Sequence, residues 1–363
     1  MALSPQALQS ATAPEIRVEG QARTELTRDL VRLAIVDSGH GLKHLSASFV
    51  AIGPRAGEQQ ERLNWLDGQV LDFGCALVVA MGPSDARQDM FTGKVSALEL
   101  SLEQGRAPEV DCLAEDRLMD LRWTRRMRTY ENVSDADLLQ RIASEHGLSA
   151  AADVDGPTWP LVQQWNQSDL SFLRERARRL AADLWVDGNT LHLATRDHRG
   201  GSTVTLIQGR NLRQVRLRAD LAHQRSAVLV SGFDDEAEDT IDEESGASDI
   251  AAEAQGQPHG AQVLERAFAA HKSYRVQDVP LTGEQARALA RAALLARARK
   301  FVSVTGVAEG DTALQVGCLL RLERVSPLFE GEGYYVTRTR HGFDLVNGYL
   351  THFEAERAWA GST

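Results

Sequence analysis

Within residues 165–193 the period of the apolar residues changes, and that change limits what the chain can build. Leu170, Leu173, Ala177, Leu180 and Leu184 recur at helical spacing behind Asn166-Gln167-Ser168-Asp169, a group that offers capping oxygens. Arg174, Arg176, Arg178 and Arg179 make a charged flank suited to water. Leu184-Trp185-Val186 and Leu191-His192-Leu193 then flank Asp187-Gly188-Asn189, a group suited to a tight hairpin turn. The expected unit is a helix packed on a two-stranded hairpin, a small α/β module rather than a catalytic loop.

On both sides of it the signals are mostly those of short strands. Residues 30–36 end at Asp37-Ser38-Gly39, residues 45–52 at Gly53-Pro54, and residues 69–81 at Gly82-Pro83. Residues 93–102 alternate through Val95 and Ala97, then shift phase to Leu98, Leu100 and Leu102, as a bulged strand would. Residues 110–130 are expected to lead into a helical region. Ser134 can cap a helix carrying Leu138, Leu139 and Ile142, which stops at His146-Gly147 with glycine just past its end. A loop with Gly156-Pro157 and Trp159-Pro160 joins that helix to the first module. Strand signals return at 203–207, 212–217, 226–233, 272–280, 301–307, 318–325, 333–340 and 348–356. A helix is expected from Thr282, where Gln285 completes a capping box and Arg299-Lys300 suit the far end of the dipole. The expected fold class is α+β: a loose arm (1–14), a β-rich domain (15–124), a small α/β domain (125–200) and a second β-rich domain (201–363).

Composition narrows the function classes. The formal charge of −11 is concentrated, because residues 234–253 hold ten acidic residues and no lysine or arginine. The rest is nearly neutral with local clusters of both signs, and nothing in it argues for a nucleic-acid surface. Residues 234–256 contain only Ile241 and Ile250 as large apolar groups, so an acidic loop is expected there, leaving the second β-rich domain with few apolar contacts. The three cysteines lack metal-ligand spacing and suit reduced thiols made in a cytosol. No signal peptide is evident, and the longest apolar run, 75–81, is too short for a bilayer core of about 30 Å, so no stable membrane insertion is expected.

Catalytic and metal chemistry finds no foothold. His40 and His44 are four apart, but His40 sits in a turn without a third ligand nearby. Glu115-Asp116 and the pair Asp135 and Asp137 could suggest a glycosidase, yet placement near helix starts favours capping and dipole roles. There is no nucleophile elbow, phosphate-binding glycine loop or zinc-protease helix. No catalytic residue, metal or cofactor is expected. The arginine clusters have two readings. One is a solvated helix face with pairs such as Glu175–Arg179 and Arg179–Asp183. The other is a contact with an acidic neighbouring subunit, with Arg122, Arg125, Arg126, Arg174, Arg178 and Trp165 as interface candidates. Trp123, Trp159 and Trp165 suit core or interface anchors.

Three strings carry a resemblance. WNQSDLSFLRERARRLAADLWVDGNTLHL, the segment from Tyr130-Glu131-Asn132-Val133-Ser134-Asp135-Ala136-Asp137 through Gly147-Leu148, and the closing GEGYYVTRTRHGFDLVNGYLTHFEAER together resemble the phage late control protein D family. These are hub proteins of contractile-tail baseplates, similar to the front half of VgrG spike proteins. The resemblance implies a homotrimer in which both β-rich domains are tube-like barrels. Three chains of two modules would then join a sixfold inner tube to a threefold spike. Implied partners are the inner tube protein, the spike protein and baseplate wedge proteins. The implied location is a particle assembled in the cytoplasm and able to be released, whether phage tail, bacteriocin or injection system. Competing readings are a VgrG-like effector-carrying spike component and a baseplate cell-wall hydrolase. The acidic insertion departs from the family pattern. Since the chain ends soon after its last strand signal, a separate spike polypeptide is expected.

Overall fold

The computed structural model describes residues 13–53, 62–235, 237–276 and 281–361. Of the described residues 48% are in strands and 19% in helices, which fits α+β with large antiparallel sheets. The chain divides into two compact units. No described helix is long and apolar enough to cross a membrane.

The first unit comprises residues 1–119, 307–316 and 338–353. Its antiparallel sheet runs, in spatial order, Gln21–Ala22, Glu15–Val18, Ala76–Met81, Gln88–Ser101, Glu109–Glu115, His44–Val50, Leu30–Ser38 and the part of Gly331–Asp344 from Arg338 onward. Period-2 burial explains each strand: in Glu109–Glu115, Val110, Cys112 and Ala114 are fully buried between more accessible neighbours. With Ile16, Leu30, Ile35, Phe49, Val79, Phe91 and Phe343 they form one core cluster. The phase shift expected in 93–102 is a register shift between Val95 and Ala97, so the bulge is present. Gly93 is required by close approach, because a Cβ there would lie 2.2 Å from the Glu115 carbonyl oxygen. The strand expected over 69–81 is shorter, Ala76–Met81, since Gly74 turns the chain at φ +78°.

The second unit comprises residues 120–306, 317–337 and 354–363. The expected module is there: helix Asp169–Arg179, capped by the Ser168 hydroxyl, and hairpin strands Asp183–Asp187 and Thr190–Ala194. Helix Asp135–Glu145 has the reciprocal capping box of Ser134 and Asp137 and ends at Gly147 with φ +64°. Its following strand, Ser149–Asp153, pairs in parallel with Thr190–Ala194. Helix Gly283–Ala298 starts at the expected Thr282–Gln285 box. Thr203–Ile207 pairs in parallel with Leu319–Glu323, which pairs antiparallel with Gly331–Asp344. Arg357 is fully buried beneath the Tyr334 ring (4.1 Å) and donates to the carbonyl oxygens of Trp359 (2.9 Å) and Glu332 (3.1 Å), fixing the end of the chain.

Several expectations are corrected. Residues 110–130 are not a passage into helix: they are strand Glu109–Glu115, the 3-10 turn Arg117–Arg122 and the start of strand Arg125–Val133. The loop around Trp159-Pro160 is part of strand Trp159–Ser168. Helix Thr24–Asp29 had no reading from sequence, and Val263-Leu264, expected as strand after the acidic segment, lie in helix Gly260–Phe268. Residues 1–12 of the arm, and 277–280 of the expected 272–280 strand, lie outside the described residues.

The largest correction is the acidic segment. It is no projecting loop: Asp239–Ser245 is a strand paired antiparallel along Ala227–Asp234, followed by the short helix Ala247–Ala251. Ile250 and Ala254, one helical turn apart, are fully buried in a cluster with Val228, Leu294 and Trp359. Judging the segment by its own apolar content left out the partners that other elements supply. The carboxylates stay on the surface or find cations: Glu243 takes Arg287 through two 3.1 Å bonds, Glu244 takes Lys272 at 2.7 Å, and Glu253 takes Arg299 at 2.9 Å.

Candidate interaction face

Strands Arg125–Val133 and Trp159–Ser168 form an isolated two-stranded ribbon, with Met127 opposite Trp165, Thr129 opposite Gln163 and Glu131 opposite Leu161. Alternation sends Tyr130, Val162 and Gln164 inward, where Tyr130 stacks on Phe172 at 5.8 Å. A bulge at Asn166, held at φ +46°, shifts the register between Arg126 and Met127.

Two buried carboxylates lock the ribbon to the helices beneath. Asp169 accepts from Arg126 Nε (2.9 Å) and Gln164 Nε2 (2.8 Å) and lies 2.9 Å from His146 Nε2. Burial pushes this carboxyl up, but the hydrogen bonds from Gln164, His146 and Arg126 outweigh it and hold it below the usual range. Asp135 accepts two bonds from Arg176, at 2.5 and 3.0 Å, and one from the Trp159 indole at 3.1 Å. The Arg176 guanidinium also lies 4.4 Å from the Trp159 ring centre. Of the carboxylates expected to cap, Asp137 does so and Asp135 instead anchors a buried ion pair. Arg176, expected in water, is 3% exposed.

The outward face sets large apolar side chains among the exposed Thr129, Gln163 and Glu131. Met127, Trp165 and Leu161 are 72%, 66% and 54% exposed, and Trp123, two residues before the ribbon, is 65% exposed. Arg122 stacks on Trp123 at 5.4 Å, and Arg125 donates to the Asn166 side chain at 3.0 Å. Large aromatic and thioether groups with arginine, left in water on a rigid strand pair, have the composition of a protein contact. Among the interface candidates, Arg122, Arg125 and Trp165 lie on or beside this ribbon. Arg126 turns inward to Asp169, and Arg174 and Arg178 lie on helix Asp169–Arg179. The Glu175–Arg179 pair forms at 2.9 Å, whereas Asp183 pairs with Arg199 at 2.8 Å and accepts from the Tyr335 hydroxyl, not from Arg179. The tryptophans divide: Trp159 is core, Trp123 and Trp165 are exposed. Met127 and Leu161 had no reading from sequence.

The fold as a whole is that of phage-tail proteins. A 43 kDa tail protein of prophage MuSo2 from Shewanella oneidensis superposes with a TM-score of 0.68 at 14% identity, over 95% of this chain and 98% of that one. A tail protein from Neisseria meningitidis gives 0.67 at 12% identity, over 96% and 98%. An Escherichia coli component of the type VI secretion system, itself described as similar to bacteriophage T4 tail proteins, gives 0.57 at 10% identity, over 94% and 76%. Phage tail and baseplate proteins, the group to which the resemblance pointed, are thus among those that share this fold. In sequence, residues 54–344, well over half of the chain, match the family model described as the Alg8 N-terminal domain, and the chain belongs to that family. No curated protein matches it.

Proposed function

We propose that the chain is a structural baseplate hub of a contractile tail or injection system, a trimeric adaptor between a sixfold inner tube and a threefold spike. The observation that carries this reading is the end-to-end correspondence of fold with the Shewanella and Neisseria tail proteins. In this reading residues 15–124 and 201–363 supply two tube-like barrels, and 125–200 is the small α/β domain between them. Two such modules per chain in a ring of three give six equivalent places, which resolves the mismatch of symmetry. The role is non-enzymatic, and the natural partners are an inner tube protein, a spike protein and wedge proteins of an assembled particle. The fold likeness to the Escherichia coli secretion component favours a VgrG-like spike component as the second reading.

The ribbon face belongs to this proposal as the contact with an acidic neighbouring subunit. Trp165, Met127, Leu161 and Trp123 supply the apolar centre, and Arg122 and Arg125 the charged margin. Electron microscopy of the purified chain tests the assembly. Class averages should show threefold rings with six lobes around a channel. Single particles of monomer size, or open filaments, would overturn the reading.

A further inference from the structure

The three-stranded sheet of Asp239–Ser245, Ala227–Asp234 and Lys272–Val276 has two open edges among the described residues. An open edge presents unpaired amides and carbonyls, and proteins normally cover or blunt it. Here the edges differ in charge. One outer strand carries Asp239, Asp242, Glu243 and Glu244 and no cation; Glu243 is met by Arg287 and Glu244 by Lys272 within the same chain. The other carries Lys272 and Arg275. Arg225 and Arg297 gather near Arg275: burial lowers the pKa of Arg297, and the charges of Arg225 and Arg275 lower it further. The Arg225 guanidinium donates to the carbonyl oxygens of Gln224 (2.6 Å) and Ala222 (3.3 Å), and among the described residues none of the three arginines meets a carboxylate. The outward side of the sheet is also left apolar, with Tyr274, Val276 and Phe233 exposed.

Strand direction makes the edges compatible. Ala227–Asp234 runs antiparallel to the acidic strand and parallel to the basic one, so the two outer strands run in opposite directions. A rotation about an axis along the strands preserves direction. It would set the acidic edge of one copy against the basic edge of the next as an antiparallel pair, the more stable arrangement. Such a heterologous contact closes into a ring when the rotation closes.

We propose that copies of this chain join head to tail by adding strand 239–245 of one copy to strand 272–276 of the next. The proposal rests on the trimer reading above and adds the surfaces that make it. Its test uses Arg275→Glu, Glu243→Arg and the chain carrying both, because Arg275 and Glu243 each lie beside Val230 and so share one face and one level of the sheet, whereas Asp242 is on the other face. Arg275 is exposed and Glu243 half-buried, and unchanged melting curves certify the fold. Light scattering across a dilution series is the readout. Each single reversal should raise the concentration of half-dissociation at least ~10-fold, and the double reversal should return it to within ~3-fold of the parent. Single variants that assemble like the parent, or a double variant no better than the singles, would overturn the strand pairing while leaving the trimer standing. A parent chain that stays monomeric at every concentration would remove both.

Discussion

Arg176 and Asp135 are the side chains on which the small α/β part most depends. A bidentate pair held out of water strands a charge when one partner is removed. Arg176→Ala should therefore cost about 3–5 kcal/mol in urea unfolding. Removing the cap with Ser134→Ala should cost only about 0.5–2 kcal/mol. Equal effects would mean that the buried pair is not the anchor. A trace of this pair is present in the sequence: Arg176 follows Phe172 by four and Leu173 by three, which places it beside the apolar stripe. Residue type alone argued the other way. In the first unit, burial pushes Asp116 up to about 7 against hydrogen bonds from the amides of Lys43 and Leu118. Folding favours the protonated acid, so its contribution is full below the ordinary carboxylate pKa of about 4 and is lost as pH rises through about 7. His341, pushed down to about 3 by burial, has the opposite slope, losing stability as pH falls below about 6.5. Asp116→Asn should thus gain on the parent steadily between about pH 4 and pH 7 in unfolding free energy. A difference that does not change with pH would contradict the buried acid.

At the scale of elements, the acidic strand differs most from what its sequence suggests. DTIDEES offers one apolar residue in seven, so period 2 is silent, and the strand is fixed by pairing with Ala227–Asp234 and by helix Gly283–Ala298. Ile250→Ala should destabilise the chain by about 2–5 kcal/mol, as for other fully buried large-to-small changes. Replacing residues 234–256 with a Gly-Ser link should likewise lower the melting temperature markedly. Unchanged melting would restore the picture of a dispensable loop. The ribbon was hidden for a related reason. In RRMRTYENV the outward positions include Met127 and the inward ones include Arg126, the reverse of a solvent-facing strand. By contrast the bulge near Val95 and the capped helices at Ser134, Ser168 and Thr282 were legible, because each is written in local residues.

At the scale of the whole molecule, the class of fold was carried by three separated strings, and composition alone reached only a β-rich multidomain protein. The ribbon face was half legible. Trp165 and Arg125 stood out by type, but the facing Met127 and the nearby Leu161 depend on a register that only the folded chain supplies. Trp165→Ala should change unfolding free energy by less than about 1 kcal/mol, as expected for one cross-strand pair. It should nonetheless weaken binding to the acidic neighbour by at least ~10-fold in a pull-down titration. Intact binding would remove the ribbon from the proposed contacts. The central claim, a ring of three, is tested most directly by native mass spectrometry of the purified 39.8 kDa chain. The account requires a species of three times that mass. A spectrum containing only the single chain at every concentration would contradict it.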